Sequence, residues 1–164
     1  MRVQSSIENI TYMNMITLDA FGLFLFIAGF VIGLGAVTVI DIHGFLGRTS
    51  AYWTEATIRT HKVTKPLIWI GMFLASIGGF IVYRNVPFVG IPLIHTLVAL
   101  LLLLNGIFLS FYVSPFLLQR EKEGRQKELL PASLQKKIVV SLIFSDLGWW
   151  GGLALLVLYI TSLK

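Results

Sequence analysis

The chain has 164 residues, 56% of them hydrophobic and 13% charged, with a mean hydropathy of +0.83. A soluble domain of this size has no interior for so much apolar surface, so the composition excludes an ordinary water-soluble fold and points to an integral membrane protein. The absence of cysteine rules out a disulfide framework, a thiolate metal centre and thiol catalysis, and the net charge of +5 fits membrane topology better than a nucleic-acid-binding face.

A helix that crosses a hydrocarbon core roughly 30 Å thick needs about 20 mostly apolar residues. Four stretches qualify, at 18–40, 66–82, 92–112 and 138–160, and they predict an all-α fold: one membrane domain over residues 1–164, an antiparallel bundle of four transmembrane helices. Residues 1–17 are polar with one basic residue, Arg2, and lack the pattern of a cleaved signal peptide, so the first span is expected to be retained. Asn9-Ile10-Thr11 matches a glycosylation sequon, a triplet common by chance.

After the first span, Ser50 is placed to cap a helix carrying Trp53, Ile58 and Arg59. Pro66 suits the first turn of the second span and Pro92 that of the third, where a missing N–H costs nothing. Tyr83 with Arg84, and Lys136 with Lys137, read as interfacial anchors, and the tryptophans Trp53, Trp69, Trp149 and Trp150 as anchoring and packing residues. The short turn 85–91 makes the second and third spans antiparallel neighbours. The stretch 116–130 is expected to extend the third span until Pro131 stops it; it and the Ser50 helix read as short interfacial helices resting on anionic lipid. For 119–128, where both charge signs mix, a solvated loop is the alternative.

Basic residues are retained on the cytoplasmic side. The loop after span one and the loop after span three hold ten of them, among them Arg48, Lys65, Arg120 and Lys137, against Arg2, Arg84 and Lys164 on the other side. Both termini are therefore expected outside the cytoplasm, in an inner or plasma membrane. Small residues recur every fourth position at Gly29 and Gly33, at Gly71, Ala75 and Gly79, and at Gly148 and Gly152. In lipid such rows allow close helix approach, within one chain or between copies.

Ionisable groups within the spans carry the functional reading, because a charge in hydrocarbon is unfavourable by about 2.5 kcal/mol or more. Asp146 lies about 12 Å into the fourth span at 1.5 Å per residue, at a depth similar to that of Asn105. With Asn105 and Ser145 as neutral ligands it would relay protons or bind a cation; the alternative is an interhelical clamp that only fixes packing. Asp41, one turn from Thr38, is expected to pair with Lys65, which offsets a carboxylate placed against a helix C-terminus. On the outer side Asp19 and His95 are expected at one depth, where a proton-sensitive contact would form. The three histidines raise haem or copper, but His95 lies near one face and His43 and His61 near the other, so only a single-histidine haem or a surface metal site from Asp41, His43 and His61 survives. No nucleophile constellation, phosphate loop or paired-metal carboxylate cluster is present, so an enzyme is not expected.

The segment Gly33-Leu34-Gly35-Ala36-Val37-Thr38-Val39-Ile40-Asp41, with Asn105-Gly106-Ile107-Phe108-Leu109-Ser110 and Val113-Ser114-Pro115, resembles motifs of small four-span prokaryotic membrane proteins of uncharacterised function. Ser145-Asp146-Leu147-Gly148-Trp149 resembles their last span more loosely. The resemblance implies an inner-membrane four-helix fold and singles out Thr38, Asp41 and Asn105. Phe26 and His95 depart from the histidine and lysine that those proteins often carry there. A more distant likeness to copper-resistance and haem-binding four-helix proteins rests on hydropathy alone. The resulting expectation is a non-enzymatic membrane protein in contact with lipid and not with nucleic acid, a homo-oligomer or subunit of a larger complex, moving protons or cations past Asp146 and Asn105. The alternatives are a haem- or metal-binding redox protein and a structural accessory subunit.

Overall fold

The computed structural model describes residues 2–162, with the side chains of Met13 and of residues 17–162. Lys164 and the side chains of Arg2 and of the sequon at Asn9 lie outside the described residues. The elements are α1 (Arg2–Leu46), α2 (Ala51–Tyr83), α3 (Ile91–Phe108), a π-helical turn (Leu109–Val113), α4 (Ser114–Lys122) and α5 (Ala132–Ser162), with no strand among the described residues. Because α3, the π-turn and α4 follow one another without a break, the described chain forms four helices long and apolar enough to cross a membrane: Thr17–Leu46, Ala51–Tyr83, Ile91–Lys122 and Ala132–Ser162. Large apolar side chains such as Val31, Phe73, Phe80, Leu104 and Leu147 point outward. That reverses the soluble pattern and suits contact with a lipid bilayer.

The helix that Ser50 caps, by accepting the Trp53 N–H at 3.5 Å, is not a separate interfacial helix. It runs unbroken to Tyr83 with Pro66 inside it, not in a first turn. Proline removes one helical hydrogen bond but does not end a helix whose neighbours hold it. The Thr54 hydroxyl closes the preceding turn by donating to the Gly47 carbonyl at 2.7 Å. The extension of span three stops at Lys122, where Gly124 takes a φ of +71°, a conformation other residues rarely adopt. Beyond it Arg120, although 5% exposed, gathers the loop by donating to the Glu128 carbonyl at 3.0 Å and the Leu129 carbonyl at 3.3 Å.

Helices α1 and α2 form the tightest seam, backbone against backbone. A Cβ added at Gly29 would stand 2.6 Å from the Gly71 carbonyl oxygen and 2.8 Å from Ala75 Cα. Gly22 lies against Ile81 and Gly78, and Gly71 against Gly33. Numbers fall along α2 as they rise along α1, so the two helices run in opposite directions. Gly148 and Gly152 of α5 instead receive the side chains of Leu102 and Phe30, and Gly79 the ring of Phe26. Every small-residue row therefore has its partner within this chain. The main core joins Phe26, Phe30, Leu34 and Val37 of α1 to Leu102 of α3 and to Trp149 and Leu156 of α5, while a second cluster of Ile58, Val113, Leu117 and Leu134 closes the end that carries Asp41.

Candidate functional site

Polar groups gather at two levels of the molecule. At the Asp41 end, a cavity of about 100 Å³ is lined by Asp41, His61, Lys65, Trp69, Ser110 and Gln135 among others. The Asp41 carboxylate is 6% exposed and its Oδ2 has no hydrogen-bond partner. The His61 Nε2, on the same wall, is buried and equally unpartnered. Unsatisfied polar atoms are uncommon in folded proteins because each forfeits its hydration; among the described residues Arg120 Nε and Gln126 Oε1 share this state with Asp41 Oδ2 and His61 Nε2. Asp146 on α5 lies near enough for its charge to act on Asp41, which puts carboxylates from two helices in one electrostatic neighbourhood.

The wall opposite Asp41 is shaped by the π-turn. The Ser114 N–H bonds to the Leu109 carbonyl, five residues back, which releases the Ser110 carbonyl that an α-helix would have engaged. Pro115, lacking an N–H, cannot bond to the Phe111 carbonyl, so the ladder changes register at this point. Lys65 takes the released Ser110 carbonyl at 3.3 Å and the Ser114 hydroxyl at 3.3 Å, and the Trp69 indole N–H donates to Ser110 Oγ at 3.0 Å. Lys65 and Trp69, one turn apart, share the face of α2 that meets α3.

Four expected pairings are therefore corrected. Asp41 and Lys65 do not pair: Lys65 serves α3, while the α1-facing side of α2 carries Gly71, Ala75 and Gly78. Asn105 does not meet Asp146. It exchanges two hydrogen bonds with Ser141, accepting from the hydroxyl at 2.6 Å and donating to the carbonyl at 3.1 Å, because a helix that starts at Ala132 puts Ser141 at that depth. Ser145 is buried beside them on α5 and Asp146 is half-buried. Asp19 does not meet His95; it pairs with Arg84 at the surface. Nor do Asp41, His43 and His61 combine: the His43 Nδ1 is bonded to the Thr60 hydroxyl at 3.1 Å with its ring against Trp53, and no group of three His, Asp or Glu side chains among the described residues is arranged to hold a metal. Thr38 donates to the Leu34 carbonyl of its own helix at 2.8 Å and is spent there.

At the other level, His95 is 7% exposed and fully bonded. Its Nε2 lies 2.7 Å from the Gly152 carbonyl, which can only accept, so Nε2 carries the proton. The Nδ1 therefore accepts from the Tyr83 hydroxyl at 2.7 Å. Bonded at both nitrogens, His95 ties α2, α3 and α5 together. Residue counting read Tyr83 as an interfacial anchor and missed this link. The signal was present in the spacing, since a turn as short as 85–91 folds Tyr83 back beside the first turn of α3. No protein-family model, no curated protein and no solved structure matches this chain.

Proposed function

We propose that the protein is an antiparallel four-span bundle of an inner or plasma membrane, with both termini outside the cytoplasm, that passes protons or cations through the Asp41 cavity as part of an oligomer or a larger membrane complex. The supporting observation is the buried Asp41 carboxylate, with one oxygen unpartnered, at a cavity it shares with His61. A group meant only to clamp helices ends up as His95 does, with every polar atom bonded.

Asp146, half-buried on α5, supplies the next station. Lys65 and the π-turn position the far wall. The excess of bases at the Asp41 end supports its cytoplasmic placement. Four spans leave little room for a complete path inside one copy, which supports assembly. A proton reaching Asp41 from the cavity would add a donor to a carboxylate whose Oδ2 has no partner.

Proteoliposomes holding a pH dye test this reading after an imposed potassium diffusion potential. Wild-type protein is expected to acidify or alkalinise the lumen according to the sign of the potential. Asp41→Asn should reduce that flux to the protein-free level, and Asp146→Asn should lower it. Equal flux in wild type and Asp41→Asn would refute the proposal.

A further inference from the structure

A second cavity, with a volume of about 560 Å³, is larger than the one at Asp41 and shares no lining residue with it. Among the described residues, hydrogen bonds tie α2 to α3 at two levels. Tyr83 and His95 join them at one level, and Lys65 and Trp69 meet Ser110 and Ser114 at the other. Between these ties small residues line both walls, Ala75, Ser76 and Gly79 on α2 and Thr96 and Ala99 on α3. The opening therefore reaches the far side of the bundle, where Phe30 and Trp149 form its floor. From Met72 to Arg84 it follows α2 for about 18 Å at 1.5 Å per residue. Its lining is mostly apolar, the polar exceptions being the Tyr83–His95 bond and the hydroxyls of Ser76 and Thr96.

One end is lined by Arg84, whose guanidinium is paired with the Asp19 carboxylate of α1. Arg84 uses a single nitrogen, Nη1, for both Asp19 and the Ile81 carbonyl, which leaves further N–H donors for an anion. Asp19 is half-exposed and presents an oxygen for a cation. A long, mostly apolar slot open toward lipid, headed by adjacent guanidinium and carboxylate, matches a lipid whose headgroup joins a phosphate to a primary ammonium.

We propose that this slot between α2 and α3 binds one acyl chain of a phosphoethanolamine lipid, with the phosphate at Arg84 and the ammonium at Asp19. The inference uses the membrane placement but not the transport reading, and the two fail separately. A choline headgroup has no ammonium N–H to give Asp19, and a glycerol headgroup has no cation at all, so both should bind less well.

Trp149 on the floor of the slot is a built-in reporter. The test uses a Trp53→Phe, Trp69→Phe, Trp150→Phe protein in phosphatidylcholine vesicles with rising fractions of phosphatidylethanolamine brominated on its acyl chains. Quenching of Trp149 should saturate, with a midpoint about fivefold lower than for brominated phosphatidylcholine, the worth of one charge-assisted contact at a half-exposed site. Unlabelled phosphatidylethanolamine should reverse it. Arg84→Gln should move the midpoint toward the choline curve, and Ala99→Phe should remove the saturating phase by filling the slot. Ser76→Phe on the opposite wall repeats that block should Ala99→Phe fail to fold, with far-UV helicity as the check. Matching curves for the two brominated lipids, quenching untouched by either filling variant, a lower midpoint for brominated phosphatidylglycerol, or a saturating loss of emission with an isoprenoid quinone that phosphatidylethanolamine does not displace would each overturn the proposal.

Discussion

The two levels at which this molecule buries polar groups treat them in opposite ways. Around His95 each buried polar atom has a partner: imidazole to the Tyr83 hydroxyl, imidazole to the Gly152 carbonyl, all packed under Phe26 and Phe30. Around Asp41, a carboxylate oxygen and an imidazole nitrogen of two cavity-lining residues are buried with no partner, and residues of the π-turn line the same cavity. Both arrangements sit among apolar helices, so the difference is not one of burial. A closed network fixes the relation of three helices, whereas an open one retains the capacity to bind.

The sharpest way to break this contrast is to separate both levels from the α1/α2 seam that carries them. Gly29→Val would drive a branched side chain into the Gly71 carbonyl and the Ala75 backbone. It is expected to remove about 4 kcal/mol or more, or to prevent folding, read as loss of cooperative unfolding by circular dichroism in mild detergent. Next in size is His95→Ala, which leaves the Tyr83 hydroxyl and the Gly152 carbonyl without partners and opens a void. A loss of about 2–4 kcal/mol is expected, and His95→Gln should recover part of it by keeping one bond. A melting temperature unchanged by His95→Ala would mean that the closed network is not what holds α2, α3 and α5 together.

Smaller effects sharpen the Asp41 side. Trp69→Phe deletes the hydrogen bond to Ser110 together with part of the indole's volume, so about 1–2 kcal/mol is expected, together with a changed flux, because Trp69 and Ser110 both line the cavity. The smallest effect belongs to the loop beyond α4. The hydrogen bond from Arg125 holds the Glu128 carboxyl below the usual carboxylate range. A carboxyl whose folded value is depressed contributes stability above its ordinary value, and that contribution is lost as pH falls through the folded value. The 123–129 loop should thus keep its amide protection at neutral pH and lose it only in acid below the ordinary carboxylate range. Hydrogen exchange followed by mass spectrometry reads this directly, and Glu128→Gln should flatten the dependence.

Much of the architecture was legible in the sequence. Each of the predicted stretches 18–40, 66–82, 92–112 and 138–160 falls within a long apolar helix, because a hydrophobic run of membrane length is a strong one-dimensional signal. The helix ends were less legible: Pro66 lies inside α2, since tertiary contacts on both sides outweigh one missing hydrogen bond. Pairings were least legible. Depth along the membrane placed Asp41 level with Lys65, and Asn105 near Asp146, but contact also requires the right helix face, and facing is set by the close α1/α2 seam. Once Gly71, Ala75 and Gly78 turn toward α1, Lys65 and Trp69 turn toward α3. Ser114-Pro115 was the one local hint of the π-turn, and its consequence, a released Ser110 carbonyl, needed three dimensions to see.

The most direct test sets the two levels side by side, measuring proton flux in proteoliposomes and melting temperature on the same preparations of Asp41→Asn and His95→Gln. Asp41→Asn is expected to abolish flux while melting within a few degrees of wild type, because a neutral amide relieves a buried charge without emptying space. His95→Gln is expected to melt earlier and still conduct. The reverse pattern, a conducting Asp41→Asn beside a stable, silent His95→Gln, would contradict the assignment of work to the open level and structure to the closed one.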